Sequence, residues 1–293
     1  MGISITPLPG TTFGAEVGGV DLSRLDDATW TQVEAAFNEY GILVFHDQDL
    51  SREAHMAFGE RFGPLEVNDT GGLRPDLDGK PIVTNISNVD ADGVHQSDPA
   101  HPLNRFLAGN EGWHSDSSFR EVTAKASILF AMEVPTQGGQ TGYADMRAAY
   151  DELSDQDKAD LAERQAYHSL KFSQAVSNSV DLEVPDAPTD YTGAWHPVVR
   201  VHPATGRPSL FVGRHACQLS GTDVAEGQAR LAQLLEDAVQ PPRIYWHDWA
   251  PGDVVIWDNR CINHRATEYD LNQRRVLRHV RVAGDPVPAG AAG

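Results

Sequence analysis

Trp30, Val33 and Phe37 recur at helical spacing between Asp26-Asp27 and Gly41. That pattern predicts an amphipathic helix with an acidic cap and a glycine stop. The apolar run 42–45 is short enough for a buried strand. Ser51 can cap a second helix, with Ala54, Ala57, Phe58 and Phe62 along one side and Gly63-Pro64 closing it. Residues 1–22 hold short apolar runs broken by Gly10, Gly14, Gly18 and Gly19, which read as strands and turns. Two polar stretches rich in Gly, Pro and Asp, 66–80 and 90–111, predict long loops around a strand over 81–87, the second covering part of a site in 112–119. Residues 127–134 read as a strand, and 138–143 as a turn into another. Asp145 is placed to cap a helix carrying Ala149, Tyr150 and Leu153, and Ser154 to Asp157 fits a capping box for the next. The polar segment 173–195 predicts a lid. Strands are expected over 196–202, 209–212, 243–247, 253–257 and 275–282. Leu231, Leu234, Leu235 and Ala238 mark the strongest helix, and the tail from Asp285 is expected to fray. Roughly ten strands and about four helices, not interleaved, argue against a doubly wound α/β fold. They favour a mainly β protein with a barrel or jelly-roll core and peripheral helices.

Length changes little in this picture: 293 residues fit a single domain, 1–293. Charge changes more. With 23 basic and 42 acidic residues the formal charge is −19, which repels phosphate backbones and disfavours nucleic acid as a partner. An anionic substrate would then need arginines placed locally. No stretch has the length of a membrane-spanning helix. The N-terminus lacks the basic and apolar parts of a secretory signal, and Met1-Gly2 resembles a myristoylation site only weakly. Two cysteines, Cys217 and Cys261, are too few for a disulfide framework and read as buried fillers, so a cytoplasmic, reducing location is expected. A homo-oligomer binding a small anionic organic substrate is expected, without membrane or nucleic-acid partners.

Candidate chemistry begins at Trp113-His114-Ser115-Asp116. On a strand, His114 and Asp116 would share one face. A histidine and a carboxylate so placed are two thirds of a facial triad for non-haem Fe(II), although His-x-Asp is common by chance. The apolar run 253–257 leads through a polar turn to His264, which spacing alone leaves either as third ligand or as a capping histidine. In the last strand Arg275, Leu277, His279 and Arg281 alternate with Val276, Arg278, Val280 and Val282. One face is therefore cationic, and a guanidinium suits a carboxylate. An exposed face paired with Asp and Glu is the alternative, but the valines opposite need burial, which favours an anion site. Trp30, Phe37, Phe58 and Phe62 read as core; His196, His202, His215 and His247 are not assigned as ligands.

Taken together, Gly19 to Leu22, Phe58 to Pro64, Trp113 to Asp116, Gly138 to Thr141, and Trp257 through His264 to Arg275 resemble the taurine / 2,4-dichlorophenoxyacetate dioxygenase family over nearly the whole length. Tyr143 to Tyr150, the segment from His202 to Leu210, and Gly213 to Ala216 look closest to its members acting on (S)-2-aryloxypropionates and 2,4-dichlorophenoxyacetate. The resemblance implies a double-stranded β-helix core. It implies Fe(II) held by His114, Asp116 and His264, with 2-oxoglutarate and O2 as co-substrates. Thr141 and Arg275 would hold the far carboxylate of 2-oxoglutarate, and Asn110 would lie near the substrate. His279 stands where the taurine enzyme has a substrate-anion arginine, so either His279 or Arg281 could hold a substrate carboxylate. The implied reaction hydroxylates the carbon next to an aryl ether oxygen, releasing a phenol and a 2-keto acid or glyoxylate, with succinate and CO2. The same mechanism on a sulfonate, sulfate ester or other small carboxylate is the alternative. A non-catalytic cupin-like protein would show a damaged triad or clamp, and a zinc hydrolase gives no reason for the arginine strand.

Overall fold

The computed structural model describes residues 2–68 and 82–285. Its largest sheet has seven strands, in the order Ser4–Pro7, Ala15–Gly18, Ile42–Phe45, Val254–Asp258, Ala124–Glu133, Val276–Ala283 and Val83–Ser87. All neighbours are antiparallel except Ala15–Gly18 beside Ile42–Phe45. A second, antiparallel sheet holds Thr141–Asp145 between Ile244–His247 and Ile262–Ala266.

Side-chain alternation along these strands separates two cores. Ile128, Ile256 and Val282 face outward and meet helices Asp27–Tyr40 and Arg52–Glu60 through Trp30, Val33, Phe37 and Phe58, with Phe62 just past the second helix. Trp30 and Phe62 touch edge to face at 4.6 Å. Both helices start as the sequence predicts, with Asp26 accepting from the Thr29 amide and Ser51 from that of Ala54. Gly41 ends the first at φ 75°, a left-handed turn that glycine enters at no steric cost. On the inner face, Leu129, Val255, Trp257 and Leu277 form one cluster with Tyr143 and Ile262 of the smaller sheet. The two sheets therefore pack face to face, and Val276–Ala283 is buried on both sides over all but its last residue.

Several expectations change. Fifteen strands are described rather than about ten. The additions are mostly short: Gln165–His168, Ala194–Pro197 and Ala216–Leu219 form a three-stranded sheet, and Ile262–Ala266 follows the polar turn. Seven α-helices are described rather than four. The loop expected over 90–111 contains the helix Pro102–Ala108, with His101 accepting from the Leu103 amide and Leu103 and Phe106 buried. The lid expected over 173–195 opens on helix Leu170–Val176, capped by Ser169. Both helices have seven residues, too few to form without tertiary packing, so their sequence pattern is weak. Most of the expected loop 66–80, the start of the strand expected at Pro81, and the tail past Asp285 lie outside the described residues. No described helix is long and apolar enough to cross a membrane.

Candidate metal and co-substrate site

His114 and His264 face each other as an isolated antiparallel bridge. Each amide donates to the other's carbonyl, at 2.9 and 2.8 Å, and the rings lie 4.2 Å apart between centroids. Asp116 does not share a strand face with His114, as the sequence spacing suggested. The chain leaves the bridge and turns, with Ser117 at φ 53°. Asp116 is returned to the histidines by Asn259, whose Oδ1 accepts from the Asp116 amide at 3.0 Å. Its Oδ1 then lies 4.0 Å from His114 Nε2 and its Oδ2 3.8 Å from His264 Nε2.

The donor set fits a transition metal. Ligand atoms of the three residues lie within 4.8 Å of one another, and all three residues are buried. His114 Nδ1 is 2.8 Å from the Gly112 carbonyl, which assigns its proton to that nitrogen and leaves the Nε2 lone pair facing the site. Burial pushes both histidines down, aided for His264 by His114. Burial pushes Asp116 up, but His264, His279 and Arg281 outweigh it and hold the carboxyl well below its usual range. Ser127 Oγ donates to Asp116 Oδ2 at 2.6 Å and accepts from Asn259 Nδ2 at 2.8 Å. The Trp257 indole fixes Asn259 in turn, at 3.1 Å. Two imidazoles and one carboxylate leave coordination positions for further ligands. Ser127 and Asn259 escaped the sequence reading. The one available signal was a serine on the inward face of an apolar strand.

The cavity at the triad is also lined by Thr141, Arg275, His279, Arg281 and Asn110. Every sequence-predicted site residue therefore meets in one place. Their electrostatic situations differ. Arg275 is 4% exposed, gives Nε to the Gly139 carbonyl at 3.1 Å and stacks at 5.7 Å from the Tyr269 ring. Among the described residues it has no carboxylate partner. Burial lowers its pKa, yet a guanidinium cannot lose its proton in a protein. A buried cation without an anion is costly, and a bound carboxylate relieves it. Arg281, in contrast, already has Glu66 at 3.3 Å and donates to Asn68. Glu66 also accepts from Ser117 Oγ at 2.6 Å and pairs with Arg120 at 3.0 Å. His279 lies 3.5 Å from Asp116 Oδ2, its ring parallel to Trp257.

Arg214 is the cation that the sequence reading passed over. It lines the same cavity, donating to the carbonyls of Gly109 and, at 3.1 Å, Ser173. All its described partners are neutral. Burial lowers its pKa to about 10, which leaves it charged at neutral pH. Around it the wall is apolar, from Phe106, Phe119 and Leu170. His215 lines the cavity with Nδ1 2.7 Å from Ser173 Oγ, while His196 and His247 hydrogen-bond to the Arg120 carbonyl and to Asp253. His202, Asp258 and Cys261 form a second buried group with metal-like spacing. Arg260 engages both oxygens of Asp258, at 2.8 and 2.6 Å, so that group is an ion pair with a histidine.

The chain is similar to known proteins in sequence and in fold. An (S)-phenoxypropionate/alpha-ketoglutarate-dioxygenase of Sphingobium herbicidovorans is 46% identical over 291 residues, covering 96% of this chain and 95% of the relative. An alpha-ketoglutarate-dependent 2,4-dichlorophenoxyacetate dioxygenase of Cupriavidus pinatubonensis is 39% identical, covering 94% and 96%. The crystal structure of AAD-2 with Mn(II) and N-oxalylglycine superposes with a TM-score of 0.86 at 38% identity, covering 98% of each chain. Residues 4–282 match the family described as taurine catabolism dioxygenase TauD, TfdA. The facing histidines, the turned aspartate and an arginine with no carboxylate partner among the described residues thus stand in a member of that family, the 2-oxoglutarate-dependent iron dioxygenases.

Proposed function

We propose that this chain hydroxylates aryloxyalkanoates of the 2,4-dichlorophenoxyacetate or (S)-2-aryloxypropionate type at the carbon next to the ether oxygen. The observation that carries this reading is a pair of cations, Arg275 and Arg214, lining one triad cavity with no carboxylate partner among the described residues. Two anions are called for. One is 2-oxoglutarate, its far carboxylate on Arg275 and Thr141. The other is the substrate carboxylate on Arg214, with Phe106, Phe119 and Leu170 around the aryl ring and Asn110 at the boundary. His279 and Arg281 then serve Asp116 and Glu66 more than the substrate. The facing sheets supply the frame of a double-stranded β-helix, rigid enough to fix ligands from separate segments.

Bound iron with 2-oxoglutarate and O2 would supply the oxidant for the C–H bond. The chain's own residues do the rest. His114, Asp116 and His264 would hold the metal, and Ser127 occupies Asp116 Oδ2 so that the carboxylate keeps one orientation. The apolar wall excludes water and aims the ether carbon. One O2 and one 2-oxoglutarate are consumed, and succinate and CO2 leave. One oxygen atom enters the substrate. The resulting hemiacetal or hemiketal breaks its bond to the aryl oxygen, which takes the hydroxyl proton and departs as the phenol. Glyoxylate or a 2-keto acid remains.

An aerobic assay with Fe(II) and 2-oxoglutarate tests this against aryloxyacetates, both aryloxypropionate enantiomers, taurine and an alkyl sulfate. Phenol and succinate are expected in equal amounts from an aryloxy acid. Succinate coupled instead to the sulfonate or sulfate ester would overturn the substrate class. His114→Ala, Asp116→Ala and His264→Ala should each abolish succinate while the protein stays folded; turnover in any of them removes that residue from the triad.

A further inference from the structure

Thr141 does not stand alone at the cavity wall. Its Oγ1 is 2.9 Å from Trp249 Nε1. An indole N–H can only donate, so in this contact the threonine oxygen accepts. A hydroxyl has one proton, and that proton is then free to point elsewhere. Trp249 itself does not line the cavity, whereas Thr141 does. The indole is held firmly. Trp249 lies in the connection 248–253, which carries the chain from the small sheet to the large one. Its ring meets His247 edge-on at 4.5 Å. His247 pairs directly with Thr141 in the small sheet and is fixed by Asp253 Oδ2 at 3.0 Å. Asp253 also accepts from the Ala250 amide at 2.9 Å and from His46 at 2.7 Å, which pins the connection on both sides of Trp249.

We propose that Trp249 is a positioning residue for the co-substrate: its indole N–H fills an acceptor site of Thr141, so that the threonine proton is presented to the far carboxylate of a 2-oxo dicarboxylic acid. This rests on Arg275 and Thr141 holding that carboxylate. A competing acceptor stands nearby, the phenol of Tyr143, which is fully buried, close enough to the Thr141 hydroxyl to interact with it, and without a well-formed hydrogen bond among the described residues. Without the indole, the Thr141 hydroxyl could rotate to other acceptors, and its hydrogen bond to the carboxylate would be weakened.

The test is calorimetric titration of the Mn(II)-loaded protein without oxygen. The ligands are 2-oxoglutarate and 2-oxopentanoate, which has the same chain length but no far carboxylate. Trp249→Phe and Trp249→Leu both remove the donor while keeping an apolar side chain. Each should weaken 2-oxoglutarate roughly five- to tenfold, the size of one charge-assisted hydrogen bond, and leave 2-oxopentanoate unchanged. In a Thr141→Val background, Trp249→Phe should add nothing. Equal weakening of both acids, additive losses, or unchanged 2-oxoglutarate affinity would overturn the role of Trp249, the last pointing to Tyr143 as the taker of the proton. The clamp is judged separately. If Arg275→Ala still prefers 2-oxoglutarate over 2-oxopentanoate as strongly as the parent, the clamp itself is wrong whatever Trp249 does.

Discussion

Arg275 immediately precedes the strand Val276–Ala283 and Arg281 lies near its far end, and both are buried. Arg281 has a permanent partner in Glu66, which is itself shared with Ser117 and Arg120. Arg275 has a backbone carbonyl, an aromatic face and no acid among the described residues. The first is a finished ion pair whose cost was met on folding. The second is a buried charge that the carboxylate of the proposed co-substrate would complete. Burial alone therefore does not mark a binding residue. The missing counter-charge does, and by that criterion Arg214 joins Arg275 while Arg281 drops out.

The largest effect that separates the two ends is on the co-substrate. Arg275→Ala should raise the 2-oxoglutarate requirement on the order of 100-fold, the range for losing one member of a buried charge pair. Arg281→Met should move it by less than about twofold. It should instead lower unfolding stability by about 1–3 kcal/mol, because Glu66 loses one of its two guanidinium partners. Adding Glu66→Gln to Arg281→Met should recover part of that loss. Equal effects of Arg275→Ala and Arg281→Met on 2-oxoglutarate would erase the distinction. Next in size, Arg214→Leu should raise the aryloxy acid KM roughly tenfold or more and leave that for 2-oxoglutarate unchanged. A shift in the 2-oxoglutarate KM alone would move Arg214 to the other anion. Ser127→Ala should then weaken Mn(II) binding about tenfold, at the lower end for a residue that orients a metal ligand; unchanged binding would make the Ser127 contact incidental.

The strand of arginines was legible because its signal has period two, and the buried valines opposite forced a covered face. The triad was legible as residue types at a suggestive spacing, but the geometry behind that spacing was not. His114 pairs with His264 across 150 residues, and the left-handed turn at Ser117 aims Asp116. What stayed hidden depends on distant partners. Glu66 neutralises Arg281 from a segment that reads as loop, and Ser127 and Asn259 meet at Asp116 only once three segments are folded together. The wall of the proposed substrate pocket was hidden for another reason. Its two helices have seven residues each, and packing rather than propensity decides that they form.

The opposite face of the same strand allows a subtler comparison. Arg278 is buried there, and Glu53 is near enough to act on its charge without forming an ion pair among the described residues. Its charge is spread over Phe130, at 4.9 Å from the ring centroid, the carbonyls of Leu50 and Ser51, and His55 Nδ1 at 3.2 Å. Accepting from a guanidinium requires a neutral His55. Burial first, then Arg278, depresses its pKa from 6.5 to about 3. The unfolded chain therefore binds a proton at His55 below about pH 6.5 that the folded chain refuses until about pH 3. Stability from this site is complete above the unfolded value and falls as the pH is lowered through that window. His55→Gln keeps an acceptor for Arg278 and cannot titrate. Between pH 7 and pH 5 it should lose about 2 kcal/mol less stability than the parent, read from urea unfolding at the two pH values. Equal losses would mean that His55 titrates in the fold as it does in the unfolded chain, and that Arg278 is not sustained by a neutral histidine.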